Sequence, residues 1–365
     1  MIRLSKSSIS NEEKIAVKNV LDKEYLGMGH EVKIFEKDLT NFFSRSTICV
    51  SSGTSALHLA CQGIGLKNGD EVLIQSLTYI ASFQAISATG ATPIACDINP
   101  ETLTIDLDDA RKRISSRTKA IMPVHYAGGV GDLDAVYSFA KRYGLRVIED
   151  AAHAFGSSYK GKKIGAFGDI SCFSFDGIKN ITSGEGGCIV SNDKELLKRS
   201  RDARLLGVTN DTENRFQNNR SWEFDVTFQG WRYHMSNIMA AIGIEQLKKF
   251  PEIAKKRQEL AKIYNLLLVG NENIVPLKND FDQIVPHIYV VKCNDKSRDL
   301  IRDNLESKKI QTGIHYQPNH LLSFYKNGYK QLVNVENIYP RLLSLPLHVD
   351  LCEEDVEYIC DSILK

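Results

Sequence analysis

Val147-Ile148-Glu149-Asp150-Ala151-Ala152-His153 reads as the end of a buried strand that delivers an acid to its carboxyl terminus. Working outward from it, short apolar runs alternate with segments of helical period from about residue 46 to residue 190. The runs are Thr47 to Val50, Glu71 to Gln75, Thr92 to Asp97, Ala120 to His125, Arg146 to Asp150, Asp169 to Phe175 and Gly187 to Ser191. Helical patterns such as Ser55 to Gly63 and Leu133 to Tyr143 lie between them. Repeated β and α units of this kind predict an α/β fold with a mostly parallel, mixed seven-stranded sheet flanked by helices. Ligands of such sheets bind beyond the carboxyl ends of the strands, so the residues just after each strand carry the functional reading.

Met239 to Leu268 reads as one long helix that turns polar from Lys248 onward, which places a domain change there: residues 1–247 large, 248–365 small. The amino-terminal segment is assigned to the large domain but is expected to pack on the small one. A strand over Ile284 to Lys292 and helices over Arg298 to Lys308 and Glu353 to Leu364 predict a small α+β domain. The chain has 365 residues, with 46 Lys and Arg against 45 Asp and Glu. A net charge of +1 gives no reason to expect nucleic acid or an anionic membrane as partner. Eight scattered cysteines without a C-x-x-C pair, and no His cluster at zinc spacing, predict no metal site and fit a reduced cytoplasm. No apolar leader opens the chain and no run approaches a membrane span, so a soluble, cytoplasmic protein is expected.

Three stretches carry chemistry. Ser51-Ser52-Gly53-Thr54-Ser55 joins a strand to a helix, where backbone N–H groups and hydroxyls favour a phosphate, although an ordinary helix cap looks the same. Asp150 can hold a pyridine nitrogen protonated, the condition under which pyridoxal phosphate is an effective electron sink, and His153 can sit against the ring's phenolic oxygen. Ser174-Phe175-Asp176-Gly177-Ile178-Lys179, followed by Gly184-Glu185-Gly186-Gly187, holds a lysine just after an apolar strand. A lysine with an ordinary pKa of about 10.4 is almost wholly charged at neutral pH, so amine chemistry requires burial or a Schiff base.

Their order discriminates: a phosphate turn near residue 53, an acid about a hundred residues later, and a lysine about thirty after that. With Thr78-Tyr79-Ile80-Ala81, Pro123-Val124-His125-Tyr126, Tyr233-His234-Met235-Ser236 and His315-Tyr316-Gln317-Pro318, the chain resembles the sugar aminotransferases of the DegT/StrS type. These belong to the aspartate-aminotransferase-like fold of pyridoxal-phosphate enzymes. The resemblance implies Lys179 as the aldimine lysine and Asp150 as partner of the pyridine nitrogen, with pyridoxamine phosphate formed during the cycle. It also implies Gly53, Thr54, Ser55 and Ser174 as the phosphate site, Tyr79 stacked on the ring and His153 beside its oxygen.

By the same resemblance the enzyme works as a homodimer with shared active sites, Trp231-Arg232-Tyr233 reaching into the neighbour's. Arg232 stands where the commoner pattern has asparagine, and is expected to serve the phosphate region. Tyr126, His315, Tyr316 and His320 are candidates for sugar or diphosphate contacts, and the glycine-rich run Gly128 to Gly131 for shaping the sugar pocket. The activity implied is transfer of the amino group of L-glutamate to carbon 3 or 4 of a nucleotide-linked keto-6-deoxyhexose. Thymidine diphosphate is the nucleotide favoured, and the amino sugar would serve O-antigen, lipopolysaccharide or another surface glycan. Lysine at position 179 favours transamination over the sugar dehydration carried out by members with histidine there. A non-catalytic cofactor-binding regulator is the other alternative, and Gly63-Ile64-Gly65-Leu66-Lys67-Asn68-Gly69 misses the spacing of a dinucleotide-binding turn.

Overall fold

The computed structural model describes residues 1–220, 222–271, 273–294, 297–326 and 330–364. The first five strands are β1 Thr47–Val50, β2 Glu71–Gln75, β3 Thr92–Cys96, β4 Thr118–Met122 and β5 Arg146–Asp150. After a small hairpin, β6 Ser158–Tyr159 and β7 Lys162–Lys163, come β8 Ile170–Ser174 and β9 Gly187–Ser191. Except for the hairpin, these form one seven-stranded sheet in the order β1-β9-β8-β5-β4-β2-β3. Most of its residues are buried, as expected of strands covered by helices on both faces.

Direction matters more here than order. β9 runs antiparallel to both of its neighbours, β1 and β8, while β8, β5, β4, β2 and β3 are mutually parallel. The carboxyl ends of β1, β2, β5 and β8 therefore emerge on one side of the sheet, together with the amino end of β9. Gly187 opens β9 between Val50 and Ser174. A Cβ there would stand 2.6 Å from the Ser52 carbonyl oxygen and 2.7 Å from that of Phe173, so only glycine fits the seam that joins β1 to β8.

Four of the seven expected strands fall on their expected residues, and β3 and β8 are only trimmed at their ends. The expected strand Ala120 to His125 instead begins at Thr118 and ends at Met122. Pro123 has no N–H for the ladder, and the N–H of Val124 is taken at 3.0 Å by the side chain of Gln75. In the small domain the strand expected over Ile284 to Lys292 starts later: β11 is Tyr289–Cys293, paired with β10 Ile274–Pro276 and with β12 Leu342–Leu345. The residues before it are held elsewhere, Val285 N donating to Ser157 Oγ at 3.0 Å and Arg257 Nη1 to the His287 carbonyl at 3.1 Å.

The expected long helix runs from Asn237 to Leu268 without a break at residue 247, so a single rod passes from one unit into the other. At the amino terminus Ile2 pairs with Ile310, and Leu347 N donates to the Leu4 carbonyl. Between the sheet and the helices His30–Phe43 and Asn237–Leu268 sits an aromatic block in which Phe155 packs against Phe42, Phe43, Phe173 and Phe250.

One ion pair crosses this core. Arg204, wholly buried, pairs with Glu36, whose Oε1 also accepts the backbone N–H of Cys49 in β1 at 2.8 Å, while Arg204 Nη1 donates to the Cys49 carbonyl at 2.6 Å. The pair fastens the helix carrying Glu36 to the strand that leads into the phosphate turn. Glu36→Ala leaves a guanidinium buried without its carboxylate, and urea unfolding is expected to show a loss of about 3–5 kcal/mol.

Candidate active site

Loops leaving β1, β2, β5 and β8 enclose a cavity of about 460 Å³, closed on the small-domain side by His315 and Tyr316. Its first corner is the turn after β1. Ser52 caps the helix Gly53–Gly63, its Oγ accepting the Ser55 N–H at 3.0 Å. No acidic residue occupies the first turn of that helix, so its positive end faces the cavity uncompensated. Gly53 sits where a Cβ would come within 2.8 Å of the Ser174 Cβ, which lets the β1 and β8 exits close into one cup. Thr54 and Ser174 line the cavity as expected. Ser55 does not: it is buried, and its hydroxyl turns to those of Ser51 and Ser52 at 3.1 and 2.8 Å.

The second corner is Asp150 at the end of β5. Its Oδ2 accepts from Ser82 Oγ at 2.6 Å and its Oδ1 from Ala152 N at 3.2 Å, and the Ser82 hydroxyl lies 3.1 Å from that of Thr78. The carboxylate is thereby aimed by the first turn of the helix Ile80–Ser87, which follows the loop after β2. Tyr79, from that same loop, is the exposed aromatic of the cavity, its ring 5.5 Å from that of Tyr316.

Lys179 occupies the third corner. Part of its surface opens on the cavity, yet its amine lies deep among protein atoms, and burial lowers its pKa to about 8 even though Asp176 and Asp150 pull the other way. Its amine meets His287 Nε2 at 3.2 Å. The loop is pinned by Asn180, whose Nδ2 donates to the carbonyls of Phe155 and Val285 at 3.0 and 3.1 Å. A buried amine of low pKa, a fixed carboxylate and an anion-binding turn around one cavity fit the three ends of pyridoxal phosphate: aldehyde, pyridine nitrogen and phosphate.

Two histidines complete the wall. Burial holds His153 well below the ordinary histidine pKa; its Nδ1 accepts Ala127 N at 3.4 Å, and its Nε2 lies 3.1 Å from the Tyr316 hydroxyl. His315, lowered to about 4 by burial and then by Lys179, lies with Nδ1 at 2.7 Å from Ser344 Oγ, and its carbonyl accepts from the buried Tyr126 hydroxyl.

Two further expectations need correction. His320 is outside the cavity: it is buried at 2.6 Å from Ser76 Oγ and 3.2 Å from Glu336, bracing the loop after β2 from behind. Gly129 and Gly131 line a separate cavity with Lys160 and Asp280, so the glycine-rich run does not form the sugar pocket of this site. Trp231 and Tyr233 pack on their own chain, Trp231 Nε1 donating to Gln62 at 2.9 Å and the Tyr233 carbonyl accepting Ser51 N at 2.7 Å. Arg232 between them does not line the cavity of its own chain.

Asp176, Glu185 and His287 were not singled out from sequence. Asp176 and Glu185 line the cavity, and burial followed by repulsion from Asp176 raises the Glu185 pKa. Both stand in the lysine stretch, where their charge was the available signal. For His287 the signal was weaker, one imidazole in the apolar run from Ile284 to Val291.

The chain matches the DegT/DnrJ/EryC1/StrS aminotransferase family over residues 7–364. It is 37% identical to the GDP-perosamine synthase of Escherichia coli O157:H7, over 98% of this chain and 96% of that protein. Among solved structures, Helicobacter pylori PseC, an aminotransferase involved in the biosynthesis of pseudoaminic acid, superposes with a TM-score of 0.91 at 30% identity, over 100% of this chain and 98% of that one. Spr1654 of Streptococcus pneumoniae in its PMP form gives 0.92 at 30% identity, with the same coverage.

The depth of Lys179 predicts its titration. In cofactor-free protein the amine should be mostly ammonium below about pH 8 and mostly free above it, against an ordinary midpoint of 10.5. Competitive labelling followed by mass spectrometry of the Lys179 peptide should show reactivity rising through that pH; a midpoint near 10 would contradict the buried placement.

Proposed function

The chain belongs to the DegT/DnrJ/EryC1/StrS aminotransferase family and is a pyridoxal-phosphate-dependent sugar aminotransferase; on that premise we propose that it moves the amino group of L-glutamate onto a nucleotide-linked keto-6-deoxyhexose, at carbon 3 or 4. The observation that carries this reading is Lys179 itself, a low-pKa amine in a cavity that also holds a fixed carboxylate and an uncompensated helix end. When bound, pyridoxal phosphate supplies an electron sink and a carrier for nitrogen.

The chain's own residues do the rest. The Gly53–Thr54 turn and Ser174 hold the phosphate, and Asp150, kept in place by Ser82, holds a proton on the pyridine nitrogen. Tyr79 and His153 line the cavity where they would cover one face of the ring and meet its phenolic oxygen. Lys179 Nζ would anchor the cofactor and, once freed by the amino donor, would serve as the general base, taking up and giving back the proton at Nζ. His315, Tyr316 and Tyr126 line the part of the cavity that would receive the sugar. Thymidine diphosphate is the nucleotide proposed; the 37%-identical GDP-perosamine synthase makes guanosine diphosphate the second reading. The product would feed a surface glycan such as O-antigen or another polysaccharide, made in the cytoplasm. Among the described residues no helix is long and apolar enough to cross a membrane.

We also assign the active form as a homodimer. Leu206, Trp222, Phe224 and Val226 are exposed along one stretch, Trp222 at 86%, an apolar surface suited to a second copy. Arg232, on the same segment and unused by its own cavity, would reach the phosphate region of the neighbour.

Two experiments test these assignments. L-Glutamate should bleach the yellow absorbance of the purified protein, and the bleached form should aminate one member of a panel of thymidine- and guanosine-diphosphate 3-keto and 4-keto sugars, read by product mass and ring couplings. A protein that ignores glutamate, or the whole panel, contradicts the donor or the acceptor. Mixing inactive Lys179→Ala with inactive Arg232→Ala should restore roughly a quarter of wild-type activity through randomly paired dimers that each hold one intact site. No recovery after verified subunit exchange would contradict a shared site.

A further inference from the structure

The neighbour that Lys179 meets is an imidazole, and that choice has consequences. His287 is 3% exposed, its ring packed 4.5 Å from that of His153, and its backbone carbonyl is fixed by Arg257 Nη1 at 3.1 Å. Nε2 faces the Lys179 amine at 3.2 Å, while Nδ1 is buried with no partner among the described residues. A neutral imidazole has one N–H and one lone pair, so whichever of the two Nε2 turns to Lys179, Nδ1 must carry the other.

Two considerations fix the protonation of the pair. Orphaned N–H groups are rare in protein interiors, whereas unused acceptor capacity is tolerated more often. The field of the nearby Arg257 guanidinium, which acts on both His287 and Lys179, also disfavours a further proton on either group. The first leaves the lone pair on Nδ1 and places the proton on Nε2, directed at Lys179; the second keeps the amine from taking the further proton that would remove its lone pair. A donor can bond only to a lone pair, and an ammonium has none. Of the other groups whose charge is felt at the amine, His153 and His315 are held neutral by burial, and Asp150 and Asp176 favour the charged form.

We propose that His287 is a positioning residue that donates its Nε2 proton to the lone pair of Lys179 Nζ, holding the free amine neutral and pointed into the cavity between its covalent engagements with the cofactor. The proposal rests on the reading of Lys179 as the cofactor lysine. It makes His287 a keeper of the free base, distinct from the residues that touch the cofactor. Depth alone would disfavour the ammonium but would not aim the neutral amine.

The test uses cofactor-free full-length protein and reads the labelling midpoint of Lys179 between pH 6 and 10. His287→Phe keeps the site dry and removes the donor, so the midpoint should rise by about one unit and labelling at pH 7.5 should fall about tenfold. His287→Asn, too short to bring its amide to the Nε2 position, should behave in the same way and decides the matter where the Phe variant does not fold. His287→Gln, which can bring an amide N–H there, should return the midpoint to within a few tenths of wild type. An unchanged midpoint in a folded Phe or Asn variant, or a Gln variant no better than Phe, would overturn the proposal. So would a lowered midpoint, because it would mean that His287 accepts from an ammonium. Borohydride reduction after adding pyridoxal phosphate, with the mass of the Lys179 peptide as readout, tests the cofactor assignment separately.

Discussion

Burying an amine is the constraint on which the rest of the site is arranged. A lysine taken out of water loses several kcal/mol of hydration in its charged form, and the usual remedy is a carboxylate in contact. Here Asp150 and Asp176 act on Lys179 only through space, and the direct contact is a neutral imidazole. The amine is thus kept near the point where both protonation states are accessible at neutral pH. An amine that must first bond to carbon and later carry a proton needs both states.

Keeping it there takes rigidity from both parts of the chain. Asn180 ties the lysine loop to the Phe155 and Val285 carbonyls, and Ser157 holds the N–H of Val285. Arg257, on the long helix, fixes the carbonyl of His287 two residues further on. The segment that failed to become strand is therefore a bracket: its backbone groups are spent on the loop and the helix, and its histidine is delivered to the amine. On the opposite wall Gly187 does comparable work, because the close contact it permits brings the exits of β1 and β8 together as one cup.

Much of this was legible in the amino-acid sequence, and the rest was hidden for physical reasons. Buried parallel strands announce themselves as apolar runs, so β1, β2, β5 and β9 fall on their expected residues. Residues that leave such strands were found for the same reason, Asp150, Ser174 and Lys179 among them. What sequence could not show was which side a hydroxyl or a histidine faces. Ser55 and Ser52 are equivalent as residue types, but the capping Ser52 lies at the cavity while Ser55, inside the first turn, is buried with its hydroxyl turned to Ser51 and Ser52. His320 follows a strongly patterned stretch and yet serves the loop behind the site, while His287, a hundred residues from Lys179 in the chain, is brought to it by folding alone.

The amino-terminal strap has a consequence for anyone handling this protein. Ile2 pairs with Ile310, Lys6 with Asp350, and the Ser7 hydroxyl donates to the carbonyl of Gly177, two residues before the lysine. Those first seven residues look dispensable in a chain diagram, and Met1 is exposed. In the folded molecule they stitch the small domain to the loop that presents the amine. Trimming them, or loading a fusion tag directly onto them, would read out as a lesion of the active site although no residue of the cavity had been touched.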